Sequence, residues 1–226
     1  MGREGRVIML KLTVDELVDR EHHAWEELKE LLDHGQNKYT YVPAQREAGE
    51  DALYHLQVST KSYLGAVAYE TEGIVLDDGW ITLLGSGGDR IFGSLTGWNG
   101  VGDQPCVPAL EGMMIVAYDA AGGFFGMDMG KYGRTGHVYY FAPDTLEWES
   151  TELAYSGFIN WLANGDLEQY YQTFRWKGWQ SDMGQLQTGQ VFAYYPPLWT
   201  EEGNGESSSK APVAVEEAWK AALAGK

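Results

Sequence analysis

Three closely spaced hairpin signals dominate the middle of the chain. β-rich runs flank turn sequences at 77–79, 119–122 and 143–145, and each turn contains an aspartate with glycine, proline or threonine near it. Turn residues between two β-rich runs indicate a tight connection between antiparallel strands. Helical patterns lie before and after this region and not between its strands. The order predicts an α+β fold with a central antiparallel β-sheet over 73–149, flanked by helices.

The N-terminal helical block has a clear start and a regular apolar face. Thr13 and Glu16 form the pattern of a capping box, in which each side chain serves an unpaired backbone N–H. Apolar residues then recur at helical spacing, which predicts one amphipathic helix over 14–34. A shorter helix is predicted over 47–57.

Sequence patterns typical of helices return after the hairpins. Ser156 is expected to cap one helix and Asp166 the next, and 191–195 is expected to form a last strand. Residues 201–212 are rich in serine and glycine and contain no aromatic residue, which is typical of a flexible linker. A short helix is predicted over 213–226.

These elements predict a domain organisation. The chain has 226 residues, which is enough to bury a hydrophobic core without disulfides or structural metal ions. We expect an N-terminal segment over 1–12, a single α+β domain over 13–200, then the linker and the C-terminal helix. The apolar run at 7–10 is too short for a signal peptide or a membrane span, so a cytoplasmic location is expected.

The charge balance limits the partners. Lys and Arg number 16 against 33 Asp and Glu, which gives a net charge of −17. Such a chain repels phosphate backbones and anionic lipid, so no nucleic-acid or membrane binding is expected.

Motifs for catalysis are missing. The glycine run at 85–88 follows a strand but lacks the Gly-Lys-Ser/Thr ending of a phosphate loop, so it is either a structural loop or a ligand-contact loop. His22 and His23 are adjacent on a predicted helix and cannot chelate one metal together. The one cysteine, Cys106, lies between prolines rather than at a helix start, which favours an inert thiol. We expect no metal, no cofactor and no catalytic residue, and an enzyme is the less favoured class.

Some side chains remain candidates for contact with a partner or ligand. Trp98 and its neighbour Asn99 lie in a glycine-rich loop, where an aromatic ring either anchors an interface or plugs the core. Asp119 is expected to close its turn, and Asp128 lies at the far end of the same hairpin. Trp176 and Trp179 lie in or beside a positive island formed by Arg175 and Lys177. The candidate contact residues are Trp98, Asn99, Asp119, Asp128, Trp176 and Trp179.

Several distinctive runs carry a family resemblance. They are Leu56-Gln57-Val58-Ser59-Thr60, Leu64-Gly65-Ala66, Gly79-Trp80, Leu84-Gly85-Ser86-Gly87, Trp98-Asn99, Asp119-Ala120-Ala121-Gly122-Gly123-Phe124-Phe125, Val138-Tyr139-Tyr140-Phe141-Ala142-Pro143-Asp144-Thr145-Leu146-Glu147-Trp148, Tyr155-Ser156-Gly157-Phe158 and Gly165-Asp166-Leu167. The chain resembles the DUF2625 family of bacterial proteins through these runs, over roughly 10–200. That family implies no assigned function and no catalytic residues. More distantly, the order of elements resembles the SUKH superfamily, which implies an immunity role against toxins.

Three classes of function follow from these observations. The first is a non-enzymatic protein-binding module, for example an immunity protein, in which the acidic chain is steered onto a basic protein such as a toxin. The second is a small-molecule-binding protein or an enzyme that uses a cleft near the 85–103 loop and the Asp119 hairpin. The third is a mainly structural or regulatory partner module. The sequence does not indicate the oligomeric state.

Overall fold

A computed structural model describes residues 10–102 and 109–225. Most of the predicted N-terminal segment and all of the Cys106 region lie outside the described residues. The strands are β1 Tyr39–Pro43, β2 Thr71–Leu76, β3 Ile81–Leu84, β4 Met113–Asp119, β5 Phe124–Asp128, β6 His137–Phe141, β7 Trp148–Ala154, β8 Gln190–Tyr195 and β9 Ser209–Ala214. The helices are α1 Val14–Leu17, α2 Trp25–Asp33, α3 Arg46–Leu56, α4 Tyr63–Glu70, α5 Leu95–Trp98, α6 Tyr155–Asn164, α7 Leu167–Tyr170, α8 Trp179–Asp182 and α9 Val215–Ala224.

The strands β1 to β7 form one antiparallel sheet in which sequence neighbours are also spatial neighbours. The three predicted hairpins are the pairs β2–β3, β4–β5 and β6–β7. Positive φ angles at Asp77, Asp78 and Gly79 reverse the chain in the first of them, a conformation that the Asp-Asp-Gly sequence tolerates. The predicted α+β class with a central antiparallel sheet is confirmed.

Helices cover both faces of the sheet, and the register of β5 and β6 identifies the faces. Phe125 pairs with Tyr140, and the Phe125 ring packs against Phe158 of α6 at 4.8 Å between centroids. Phe124 and Phe141, one residue away on each strand, point to the other side. They contact Trp219 of α9 at 4.5 and 5.5 Å. We call these the α6 face and the α9 face.

The prediction of one continuous helix over 14–34 is wrong, because α1 and α2 are separate. Buried Thr60 forms hydrogen bonds with backbone groups that would pair with one another in a continuous helix. Its N–H donates to the Leu17 carbonyl at 3.0 Å, its Oγ1 accepts from the Asp19 N–H at 2.9 Å, and its carbonyl accepts from the Ala24 N–H at 2.8 Å. The predicted capping box is present at the start of α1, where the Glu16 carboxylate accepts from the Thr13 N–H.

The predicted linker over 201–212 needs a correction as well. Residues 209–214 form β9, which pairs along its whole length with β8. Ser208 at the start of this strand is buried, and its hydroxyl donates to the Pro196 carbonyl at 2.9 Å. The helix that follows is anchored in the same core through Trp219, which is 1% exposed. Residues 208–225 therefore pack onto the domain.

Candidate functional site

Trp98 and Asn99 are interior residues. The Trp98 side chain is 1% exposed and packs against Phe124 at 5.5 Å and Trp219 at 6.4 Å on the α9 face. The Asn99 amide accepts from the Ile115 N–H at 2.7 Å and donates to the Ile115 carbonyl at 2.8 Å, beside an irregularity in the pairing of β4 with β5. Both residues hold α5 against the sheet, so neither presents an anchor to a partner.

Asp119 closes the β4–β5 turn, as predicted. Its Oδ1 accepts from the N–H groups of Ala121 and Gly123, each at 2.9 Å, and its Oδ2 accepts from the Tyr140 hydroxyl at 2.7 Å. The carboxyl is 0% exposed, and this burial raises its pKa. The glycine at 123 is required by space, since a Cβ there would lie 2.2 Å from the Tyr140 hydroxyl oxygen.

Asp128 lies at the opposite end of the same hairpin, paired with Met113. Its carboxylate accepts from the N–H groups of Gly130, Tyr132 and Arg134 at 2.9, 3.1 and 2.6 Å. Although burial opposes ionisation, these backbone donors lower the pKa of Asp128. Asp119 and Asp128 therefore organise two separate turns and do not line one cleft.

The predicted positive island is not a surface feature, because Arg175 is internal. Its guanidinium lies over the rings of Trp179, Trp80 and Tyr171, at 4.0, 4.7 and 5.0 Å from their centroids. It also pairs with the Asp77 carboxylate. The Trp179 side chain is only 4% exposed. This arrangement fastens the α7–α8 segment to the β2–β3 turn.

Trp176 is half-buried beside this cluster. Its Nε1 donates to the Asp182 carboxylate at 2.7 Å, and its ring meets Phe192 edge-on at 5.1 Å. Lys210 of β9 lies over the same ring at 4.7 Å. Trp176 thus joins α8 to the β8–β9 hairpin.

A cleft of about 220 Å³ lies on the α9 face, next to the loop and hairpin that the sequence analysis singled out. Four separate segments form its walls: the β2–β3 hairpin, the loop at 90–92, the end of β4, and the stretch from the turn after α8 into β8. The lining residues are Val75, Asp78, Gly79, Trp80, Thr82, Arg90, Ile91, Phe92, Tyr118, Ala120, Met183, Leu186, Gln187, Thr188, Gly189, Gln190 and Val191.

The glycine run at 85–88 positions the loop at 90–92. A Cβ on Gly88 would lie 2.3 Å from the carboxylate carbon of Glu72, so only glycine permits this approach. The buried Glu72 carboxylate accepts from the Arg90 N–H at 3.1 Å. Phe92 then reaches the other wall, where it touches Gly189, a position with φ +79° and no room for a Cβ. The glycine run is therefore a structural loop that shapes the cleft.

Hydroxyl and amide groups give the cleft its chemistry. Thr82 and Tyr118 are paired neighbours on β3 and β4. Burial raises the pKa of the Tyr118 hydroxyl to about 12, so it remains protonated at neutral pH. The Trp80 indole N–H is buried without a hydrogen-bond partner among the described residues. Gln190 holds the opposite wall by accepting from the Gln187 N–H at 2.9 Å.

Neither a metal centre nor a membrane span is found in the part of the chain that the structure describes. No group of three His, Cys, Asp or Glu side chains converges there to hold an ion. No helix within 10–102 and 109–225 is long and apolar enough to cross a bilayer. The expectation of no cofactor remains a prediction.

Sequence reasoning missed most of the cleft residues. Thr82 is the one polar residue of β3, and Tyr118 follows the apolar residues of β4, so these hydroxyl positions were the available signal. The polar run at 187–190 has no recognisable motif. The cleft wall that this run forms depends on contacts with residues about 100 positions earlier in the chain. One example is the contact between Gly189 and Phe92.

One family model and two curated relatives match this chain. The family described as "Protein of unknown function DUF2625" matches residues 14–218. The putative uncharacterized protein YbfG of Escherichia coli K12 is 36% identical over 208 residues, which cover 92% of this chain and 94% of that protein. An uncharacterized protein of Haemophilus influenzae is 35% identical over 193 residues, 82% of each chain. No solved structure matches the chain, so the SUKH likeness stays a prediction. The chain belongs to the DUF2625 family.

Proposed function

We propose that this protein binds a small polar molecule in the cleft on the α9 face. The observation that carries the proposal is the convergence of four separate segments on one concave space of about 220 Å³ lined by hydroxyl and amide groups. Concave sites with a few converging polar groups are the usual places for ligands. The volume lies below the roughly 300–1,000 Å³ of pockets for drug-sized ligands, which favours a small metabolite.

The lining also indicates the chemical class of the ligand. Tyr118 and Thr82 offer hydroxyl groups, and Gln187 and Gln190 offer amides. These groups fit a neutral molecule rich in hydroxyl or carbonyl oxygens.

A thermal-shift screen of sugars, polyols, nucleosides and amides tests the proposal, followed by calorimetry of each hit. Tyr118→Phe removes the cleft hydroxyl and keeps the ring. It should weaken binding by about 2- to 12-fold, the equivalent of one hydrogen bond of roughly 0.5–1.5 kcal/mol. Tyr132→Phe is the matched control, because Tyr132 is 42% exposed and lies outside the cleft. A screen without hits, or hits that bind Tyr118→Phe as tightly as wild type, would contradict the proposal.

We also propose a second function, binding of a basic protein such as a toxin. The net charge of −17 supports it, as does α2, which exposes Glu26, Glu27 and Glu30. Opposite charges speed association at low salt, and screening shortens their reach from about 10 Å at 0.1 M to about 3 Å at 1 M.

A pull-down tests this second function. The protein is immobilised and a bacterial lysate is passed over it. Basic proteins should be retained at low salt, released at high salt, and retained less by a Glu26→Gln, Glu30→Gln double variant. A single Glu111→Gln variant serves as a control away from α2. Retention that is indifferent to both salt and the double variant would exclude recognition through this acidic helix.

A further inference from the structure

A second cavity, of about 430 Å³, lies on the α6 face and is separate from the cleft. It opens beside the edge strand β7, between that strand and the helices α6 and α7. Its main walls are Tyr140, Trp161 and Tyr170, with Glu149 and Ser150 of β7 at one side. None of the seven residues that line it is a lysine or an arginine.

The three aromatic rings are inclined to one another, so they do not form a flat platform. Tyr170 meets Trp161 at 4.8 Å between centroids with an interplanar angle of 72°, and it meets Tyr140 at 5.7 Å and 62°. Phe125 lies behind two of them, at 4.7 Å from Tyr140 and 6.2 Å from Trp161. Tyr170 is 38% exposed, which leaves part of the group open to solvent.

Acidic residues lie beside this aromatic group. Glu149 lines the cavity, and the Tyr140 hydroxyl donates to buried Asp119. Burial raises the pKa of Tyr170, and the nearby charges of Glu149 and Asp144 raise it further. The electrostatic field at the cavity therefore favours a positive charge, and the faces of aromatic rings attract cations as well.

We propose that this cavity binds a small organic cation that carries an alkylated ammonium group. The methyl groups of such a cation would contact the Trp161, Tyr170 and Tyr140 rings, and Glu149 would balance its charge. Aromatic cages of this kind suit quaternary ammonium groups. A neutral sugar would stack on a ring but would gain nothing from the carboxylates, so charge is the property that distinguishes the two ligands.

Calorimetry on the full chain with choline as the probe tests this inference. Choline should bind saturably. Its uncharged isostere 3,3-dimethyl-1-butanol should bind at least about tenfold more weakly, because it has the same shape but no charge to attract the rings and the carboxylates. Glucose forms the third arm and should not displace choline. Failure of choline to bind, equal binding of the isostere, or displacement of choline by glucose would overturn the proposal.

Variants locate the binding within the cavity. Glu149→Gln keeps the side-chain shape and the acceptor for the Thr145 hydroxyl, a 3.0 Å contact. Tyr170→Leu removes a partly exposed ring. Each should weaken choline binding about fivefold or more. Glu149→Gln should do so with a melting temperature near that of wild type. Glu217→Gln makes the same charge change at an exposed position of α9, on the opposite face of the sheet, and should leave binding unchanged. Equal affinities for Glu149→Gln, Glu217→Gln and wild type would show that the cation does not bind here.

Discussion

Replacement of Trp98 by alanine distinguishes a core role from a recognition role for this ring. The side chain is 1% exposed, and its contacts are Phe124 at 5.5 Å and Tyr118 and Trp219 at 6.4 Å each. Its indole N–H has no hydrogen-bond partner among the described residues. The loss in the variant is therefore one of packing and burial.

The size of the loss follows from this environment. A buried Trp or Phe replaced by Ala typically lowers the free energy of unfolding by about 3–5 kcal/mol. That is a large share of the roughly 5–15 kcal/mol by which a domain is stable. With a urea m-value of about 3 kcal/mol/M, the unfolding midpoint should fall by about 1–1.7 M.

Urea unfolding followed by far-ultraviolet circular dichroism measures this shift. Trp199→Ala is the matched control, because Trp199 is 43% exposed and its loss should cost less than about 1 kcal/mol. If Trp98→Ala unfolds at the same urea concentration as Trp199→Ala, the assignment of Trp98 to the core is wrong. If Trp98→Ala lost binding to a protein partner without losing stability, Trp98 would again be interpreted as an anchor for that partner.

Further predictions concern the turn closed by Asp119 and the buried side chain of Arg175. Gly123→Ala should lower the free energy of unfolding by about 1–3 kcal/mol, because its Cβ has no space. Gly184→Ala, where nothing lies within 4 Å, should have little effect in the same unfolding assay. Burial raises the pKa of Asp119, so its contribution is complete below the unfolded pKa of about 3.9 and is lost as the pH rises through the folded value. Wild type should therefore lose stability relative to Asp119→Asn as the pH rises above about 4, and a relative gain would refute the sign. Arg175→Lys keeps the charge but loses the flat stacking surface, and should lower the melting temperature through a loss of about 1–2 kcal/mol; an unchanged melting temperature would show that stacking is unimportant.

Local signals in the sequence predicted the sheet. The Asp77-Asp78-Gly79 turn and the Asp119 turn each lie between the strands that they connect, so their residues alone indicate the hairpins. The helix over 14–34 was mispredicted because its break depends on Thr60, about 40 positions away. The strand β9 was missed because its pairing with β8 is not visible in a run of serine, alanine and proline.

The candidate site was harder to predict than the fold. The sequence pointed to the 85–103 loop and the Asp119 hairpin, and the cleft lies beside both. The particular residues proposed there, such as Trp98 and Asp119, are buried and structural. The cleft walls come from segments about 100 residues apart, and no local pattern records which of their side chains converge.

Hydrogen–deuterium exchange with a saturating ligand from the screen tests the proposed cleft most directly. The account predicts slower exchange at backbone amides in 90–92 and 183–191, the two segments that face each other across the cleft, with no change on α2 or α6. Binding that slows exchange only at other parts of the chain, or at none, would contradict it.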